Sequence, residues 1–307
     1  MELGIALLLV VLAVAGALVS VRRTAHRRDR ERDAALARIP PPTHPVRIED
    51  RLSLAELAEA RAHALAVTEI VELVAGELRP GLTTFEIDAR IESEIVGRGL
   101  VPAMKGYNGA PSASMIAVNE EVLHGVPSRE RVLRDGDLVT IQTAVRGPRV
   151  HAAVGRTYAV GAPSERAQRV IDATVSALAR AVDEARMGKR LGDVGLAIES
   201  TLADARLAAV RDYVGYAIGR ALMLPPQIPG YGRAGTGMRL RDGMLLNIHA
   251  IAKEGGSEVS VDDDRWTVRG APGELSSLAT AMVWIDRDRT ELLTPLARAA
   301  PPIDRLA

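Results

Sequence analysis

Residues 133–142 read LRDGDLVTIQ, and 107 residues later residues 240–249 read LRDGMLLNIH, the same at six of ten positions. The offset recurs elsewhere: Ile91-Glu92-Ser93 returns as Ile198-Glu199-Ser200, and Gly81 as Gly188. A shared offset in three separate stretches marks an internal repeat. Asp135-Gly136-Asp137 is a turn signal, and the β-branched run Leu138 to Val145 behind it reads as a strand with a partner at Val154 to Val160. Ser53 to Glu77 carries helical apolar spacing, with Ser53 as cap and Glu56 three residues on. Pro80-Gly81 closes it, and Thr83 or Thr84 opens a second helix through Val96. Helices at 164–186 and 191–205 form the corresponding pair, and short strands with glycine-rich turns are expected over 207–295. Each half thus runs helix pair, then strands. The repeat implies a pseudo-two-fold domain with one continuous sheet, and a pocket between equivalent strands carrying Gln142 and His249.

The rest of the chain sets bounds. It has 307 residues, 39 Lys+Arg against 39 Asp+Glu, and no cysteine. A disulfide framework, a thiol nucleophile and a thiolate metal site are excluded. Zero net charge speaks against non-specific nucleic-acid binding, and no specific nucleic acid is expected. Aromatic residues are only 3%, so Leu, Val, Ile and Ala must build the core.

Residues 4–21 (GIALLLVVLAVAGALVSV) carry no charge. As a helix they span about 27 Å, close to the hydrocarbon thickness of a bilayer. Seven arginines (22, 23, 27, 28, 30, 32 and 38) follow, against three acids. The expected organisation is a transmembrane anchor over 1–22, a basic and Pro-rich cytoplasmic linker over 23–45, a folded domain over 46–297 and a tail over 298–307. The basic flank keeps the C-terminal domain in the cytoplasm, so the expected location is a single-pass membrane protein. A cleaved signal peptide is the competing reading. It fits less well, because Glu2 stands where a positive n-region belongs and the basic residues follow the apolar run.

The stretches RPGLTTFEID, GYNGAPSASMIAVNEEVLHGVP, LRDGDLVTIQTAV, YVGYAIGRA, GYGRAGTGMRLRDGMLLNIHAIA and ELLT resemble type I methionine aminopeptidases over about residues 50–296. The resemblance implies the α+β pita-bread metallopeptidase fold. It also implies two divalent metals that polarise a scissile carbonyl and supply hydroxide. The family's metal and catalytic positions fall on Gln142, Ala153, Tyr216, Leu224, His249 and Thr280, where it has Asp, Asp, His, Glu, Glu and Glu. No carboxylate stands at any of the six. Neutral amide, phenol and hydroxyl groups cannot hold two dications together.

Together with the apolar run at 4–21, the substituted positions imply a membrane-anchored, catalytically inactive relative that binds a peptide, nascent chain or protein partner, with no metal and no cofactor. Two alternatives stand beside it. One is an active metalloaminopeptidase with an atypical zinc, cobalt or manganese site built from His124, His151 and His249. The other is a regulatory partner of an active homologue. Asn108, His124, His151, Tyr107 and Met223 are candidate cleft or peptide-binding residues, with Met104 and Met115 as further apolar lining. Asp137, Glu120 and Glu121 are the carboxylates most able to enter the cleft from outside the aligned motifs. Asp262-Asp263-Asp264 reads as a solvated loop rather than a calcium site, because no EF-hand spacing surrounds it.

Overall fold

The computed structural model describes residues 51–296. The anchor, the linker and the tail expected from the sequence lie outside these residues. Among the described residues no helix is long and apolar enough to cross a membrane.

The first half opens with helix α1 (Leu54–Ala75), started by a capping box in which Glu56 N donates to Ser53 Oγ and Ser53 N donates to Glu56 Oε2. Helix α2 (Thr84–Gly97) begins the same way from Thr83 and Glu86. Strands β1 (Val101–Pro102), β2 (Ser114–Val118), β3 (Glu121–Leu123), β4 (Leu138–Arg146) and β5 (His151–Ala159) follow. The second half repeats the plan with helices α3 (Glu165–Glu184) and α4 (Leu191–Asp204). Its strands are β6 (Ala208–Ala209), β7 (Gly215–Ala217), β8 (Leu224–Ile228), β9 (Leu245–Lys253), β10 (Ser260–Val261), β11 (Val268–Arg269), β12 (Ser276–Ile285) and β13 (Thr290–Leu292).

The main sheet has ten strands, in the order β1-β4-β5-β12-β9-β7-β8, with β2 against β4, β6 against β9 and β13 against β12. The two halves meet where β5 lies beside β12. The sequence repeat is written into the backbone at the same offset. Gly81 N donates to Leu133 O, and Gly188 N to Leu240 O. Thr83 bridges Val132 and Arg190 bridges Arg239. Gly136 and Gly243 both sit at positive φ, 84° and 88°, in the turn that starts β4 and β9. That conformation explains why the glycine of each Asp-Gly turn is kept.

Strand alternation divides the sheet into two faces. Ile248, Ala250, Ala279, Ala281 and Val283 pack with α3 and α4 in one core cluster. On the same face, along the row Ile141–Arg156–Ala279–Ala250, Ile116, Val139 and Ile141 pack with α1 and α2 in another cluster, which leaves the opposite face to Gln142, Thr280 and His249. The expectation of only short strands over 207–295 is corrected by β9 and β12, nine and ten buried residues long. Being covered, both lack the apolar–polar alternation by which a half-exposed strand is recognised.

Arg220, beyond β7, makes a bidentate pair with Glu56 of α1 (2.6 and 2.8 Å) and so ties the second half to the first. The Arg220 hydrogen bonds, then those from Ser53, hold the Glu56 carboxyl at about 2. A folded-state value below the ordinary 4.5 means the stabilisation is complete above about pH 4.5 and is lost as pH falls towards 2. Replacing Glu56→Gln should cost about 2 kcal/mol in urea unfolding at pH 7, with the gap to the parent closing as pH falls from 4.5 to 2.5.

Candidate functional site

Five of the six positions singled out by the resemblance meet on one face of the sheet. Gln142 of β4 lies opposite Gly155 of β5, and Thr280 of β12 lies opposite His249 of β9. Gly155 N donates to Thr280 Oγ1 at 2.8 Å, which closes the row Gln142–Gly155–Thr280–His249 across four strands. Ala153 is two residues from Gly155 and shares its face. Asn247, two residues from His249, pairs with Tyr216 of β7 and brings it alongside. Met115 of β2 extends the row beyond Gln142. A strand puts alternate residues on one side, so these registers fix the neighbours.

Leu224 does not join them. It pairs with Ala217 across a bulge in β7, and packs with the core cluster on the α3–α4 side of the sheet. Its assignment to the site is corrected by that packing. The bulge and the side-chain alternation place it away from Tyr216, which packs towards the other cluster.

The row is buried: Gln142 is 9% exposed, His249 7% and Thr280 3%. Asn247 Nδ2 donates to His249 Nε2 at 3.0 Å, which makes the imidazole neutral with its proton on Nδ1. Burial, then the neighbouring His124, holds His249 at about 3. Burial holds His124 at about 4. The Tyr216 phenol is pushed up to about 12 by burial, offset in part by Asn247, and its ring meets His249 edge-on at 5.1 Å. At neutral pH these three rings carry no charge.

The remaining candidates scatter. His124 faces Tyr213 edge-on at 5.4 Å, and its backbone N–H donates to Gln142 Oε1 at 3.3 Å, so it belongs to the row's surroundings. His151 has its Nδ1 3.0 Å from Gly219 O and lies near His63 and Arg146. Tyr107 and Met104 pack against the α1–α2 cluster. Asn108 is exposed at φ 52°, ψ 24°, where a short polar side chain is tolerated in a left-handed turn. Met223 is exposed on the turn before β8.

The outside carboxylates are engaged elsewhere. Asp137 accepts from Asn119 Nδ2 and Arg134 N in the turn before β4. Glu120 and Glu121 pair with Arg269. Asp264 accepts from Trp266 N and Thr267 N, and Asp262 pairs with Arg269, so two of the three acids are engaged within their own hairpin. Among the described residues no three His, Cys, Asp or Glu side chains converge to hold a metal ion, and His124, His151 and His249 do not assemble into one. An amide, a methyl group, a phenol, an imidazole and a hydroxyl do not fit a pair of dications, which need anionic oxygens between them.

Sequence reasoning passed over Asn247 and Tyr213. The repeat could have found Asn247. It occupies the place of Thr140, two residues before Gln142, just as Asn247 stands two before His249. Tyr213 had no such signal.

The model of Metallopeptidase family M24 matches residues 58–269. Methionine aminopeptidase A of Synechocystis is 33% identical over 243 residues, covering 79% of this chain and 96% of that protein. The chain belongs to metallopeptidase family M24. A Bacillus subtilis methionine aminopeptidase is 36% identical over 197 residues, 64% of this chain and 79% of its own length. The crystal structure of a methionine aminopeptidase from Thermotoga maritima superposes with a TM-score of 0.77 at 32% identity, covering 79% of this chain and 98% of that one. A prolidase from Pyrococcus horikoshii, at 18% identity and a TM-score of 0.64, shares the fold. The α+β pita-bread fold is therefore established.

Membership also corrects one expectation. An outright absence of any cofactor has no support in a chain that belongs to a metallopeptidase family. What the M24 domain displays is narrower: the side chains on this face do not suit a dinuclear centre.

Thr280 supplies the acceptor for a buried backbone N–H. Thr280→Val should therefore orphan Gly155 N and cost about 1–3 kcal/mol in chemical denaturation, whereas Thr280→Ser keeps the acceptor and most of the stability.

Proposed function

We propose that this M24 protein is a non-hydrolytic binding module. It uses the methionine aminopeptidase scaffold to hold a peptide, a nascent chain or a protein partner, and the six metal and catalytic positions of its relatives are degenerate in it. The observation that carries the reading is the row itself. Gln142, Ala153, Tyr216, His249 and Thr280, which the resemblance assigns to the family's site, share one face of the sheet, and that supports the reading. The side chains there are neutral, and two are committed to the scaffold: Thr280 to Gly155, His249 to Asn247. A module of this kind keeps the cleft's shape without its hydrolytic centre.

The purified full chain, incubated with a peptide bearing N-terminal methionine and with cobalt or manganese, should release no methionine above a protein-free control. The same peptide, fluorescently labelled, should bind saturably. Release with turnover would establish the active aminopeptidase instead. Binding only to an active homologue, measured by co-purification, would establish the regulatory partner. Restoring Gln142→Asp, Ala153→Asp, Tyr216→His, His249→Glu and Thr280→Glu together should raise the melting temperature in cobalt by several degrees relative to the parent, since the ligands would then be anionic.

The same reading places the chain at the membrane through residues 4–21, with the M24 domain on the cytoplasmic side. After alkaline carbonate washing the full chain should stay in the membrane pellet, and its appearance in the supernatant would remove the anchor from the proposal.

A further inference from the structure

The net charge of the whole chain is zero, yet segments 186–192 (RMGKRLG) and 231–241 (YGRAGTGMRLR) together carry six cations and no acid. The fold brings them together. Leu191 N donates to Met238 O, Leu240 N to Lys189 O and Gly188 N to Leu240 O, so the segments run antiparallel with Arg190 directly opposite Arg239. Arg241, two residues from Arg239, extends that face, and Gly192 N donates to Thr236 O beside Arg233. Two like charges placed opposite each other are destabilising.

The fold itself does not ask for them. The pseudo-symmetric bridge in the first half joins Thr83 and Val132, both neutral, and Lys189 occupies the place of Leu82. Arg79 and Arg134 stand at the places of Arg186 and Arg241, but the same backbone bonds form there without counterparts of Lys189, Arg190 or Arg239.

Nearby acids offset only the Lys189 and Arg190 end of the patch. Glu184 pairs with Lys189. Asp193 accepts from Gly235 N and Arg190 N and faces Lys189 and Arg190 with its charge, and Asp242 pairs with Arg51 and Arg287. Arg190 donates to Gly237 O. Among the described residues no carboxylate pairs with Arg186, Arg233, Arg239 or Arg241, and all four are exposed. Between them stand two exposed apolar side chains, Met187 at 51% and Met238 at 43%.

We propose that this patch is a docking surface for an anionic lipid bilayer, its cations meeting headgroup phosphates and Met187 and Met238 entering the interface. Cations around exposed, flexible apolar side chains suit a headgroup boundary. A single-stranded nucleic acid would call for aromatic stacking platforms, and here Tyr231 is already covered by Arg211 at 4.7 Å. The patch is built from residues 186–241 alone, so the inference stands apart from the anchor at 4–21 and from the reading of the cleft.

The full chain, mixed with vesicles of phosphatidylcholine alone or with about a third phosphatidylserine, is exposed to dilute hydrogen peroxide and its methionine oxidation followed by mass spectrometry. Met187 and Met238 should oxidise several-fold more slowly with the anionic vesicles only. Met223, 41% exposed and outside both segments, is the internal control. Each cation at an anionic leaflet contributes about fivefold in partitioning, so Arg239→Gln with Arg241→Gln should abolish most of the protection while leaving the melting temperature unchanged. Equal oxidation in all conditions, or equal protection by both vesicles, would overturn the proposal. So would protection by a single-stranded RNA but not by vesicles, which would reassign the patch to nucleic acid.

Discussion

The seam between β5 and β12 is where two half-domains become one sheet, and it is stitched by side chains as well as backbone. Thr280 Oγ1 accepts from Gly155 N, and Thr157 Oγ1 accepts from Leu278 N, each at 2.8 Å. Thr140 and Thr157 then share a hydroxyl hydrogen bond at 2.7 Å that carries the stitching to β4. A buried N–H left without an acceptor costs on the order of 1–3 kcal/mol, so these hydroxyls are structural necessities in a stretch where the strands do not pair fully. Gly155 adds a steric condition. A Cβ there would lie 2.5 Å from Leu278 Cδ2 and 3.1 Å from Thr280 Cγ2. Seam and candidate site thus share Thr280 and its partner Gly155, and a change at either is felt in both.

That overlap ties the chemistry of the face to the shape of the sheet. Charged groups on this face would have to be held by counter-charges, because burying an uncompensated carboxylate is far costlier than burying a hydroxyl. Thr280 and His249 meet the burial requirement with neutral groups that bond to the scaffold. His249, kept neutral by burial and by Asn247, and Tyr216, kept protonated by burial, complete a face that is polar in composition but uncharged at neutral pH.

Much of the fold was legible because local and global signals agreed. Both capping boxes, at Ser53–Glu56 and Thr83–Glu86, mark the starts of α1 and α2, and the 107-residue offset anticipated paired backbone bonds such as those of Gly81 and Gly188. The long strands β9 and β12 were missed, since a strand buried on both faces shows no alternation to read. In the site, the repeat paired Gln142 with His249 correctly but said nothing of Thr280 lying beside Gly155, a contact between halves that no local pattern encodes. Leu224 failed for a different reason. The resemblance assigned it by position in the chain, and the bulge at Tyr216 and Ala217 pairs it with Ala217 rather than beside Tyr216.

The pseudo-symmetry also separates what the fold needs from what this chain has added. Where both halves keep a feature, as with the glycines at positive φ that begin β4 and β9, the backbone demands it. Where the halves differ at equivalent places, the backbone is indifferent and another pressure has acted. Gln142 against His249 is one such difference, on the inner face. Thr83 and Val132 against Arg190 and Arg239 is another, on the surface. The first concerns what the cleft holds, and the second what the domain touches. Both are departures that a shared scaffold permits, because the hydrogen bonds repeated in the two halves, such as Gly81 N to Leu133 O and Gly188 N to Leu240 O, run through main-chain atoms.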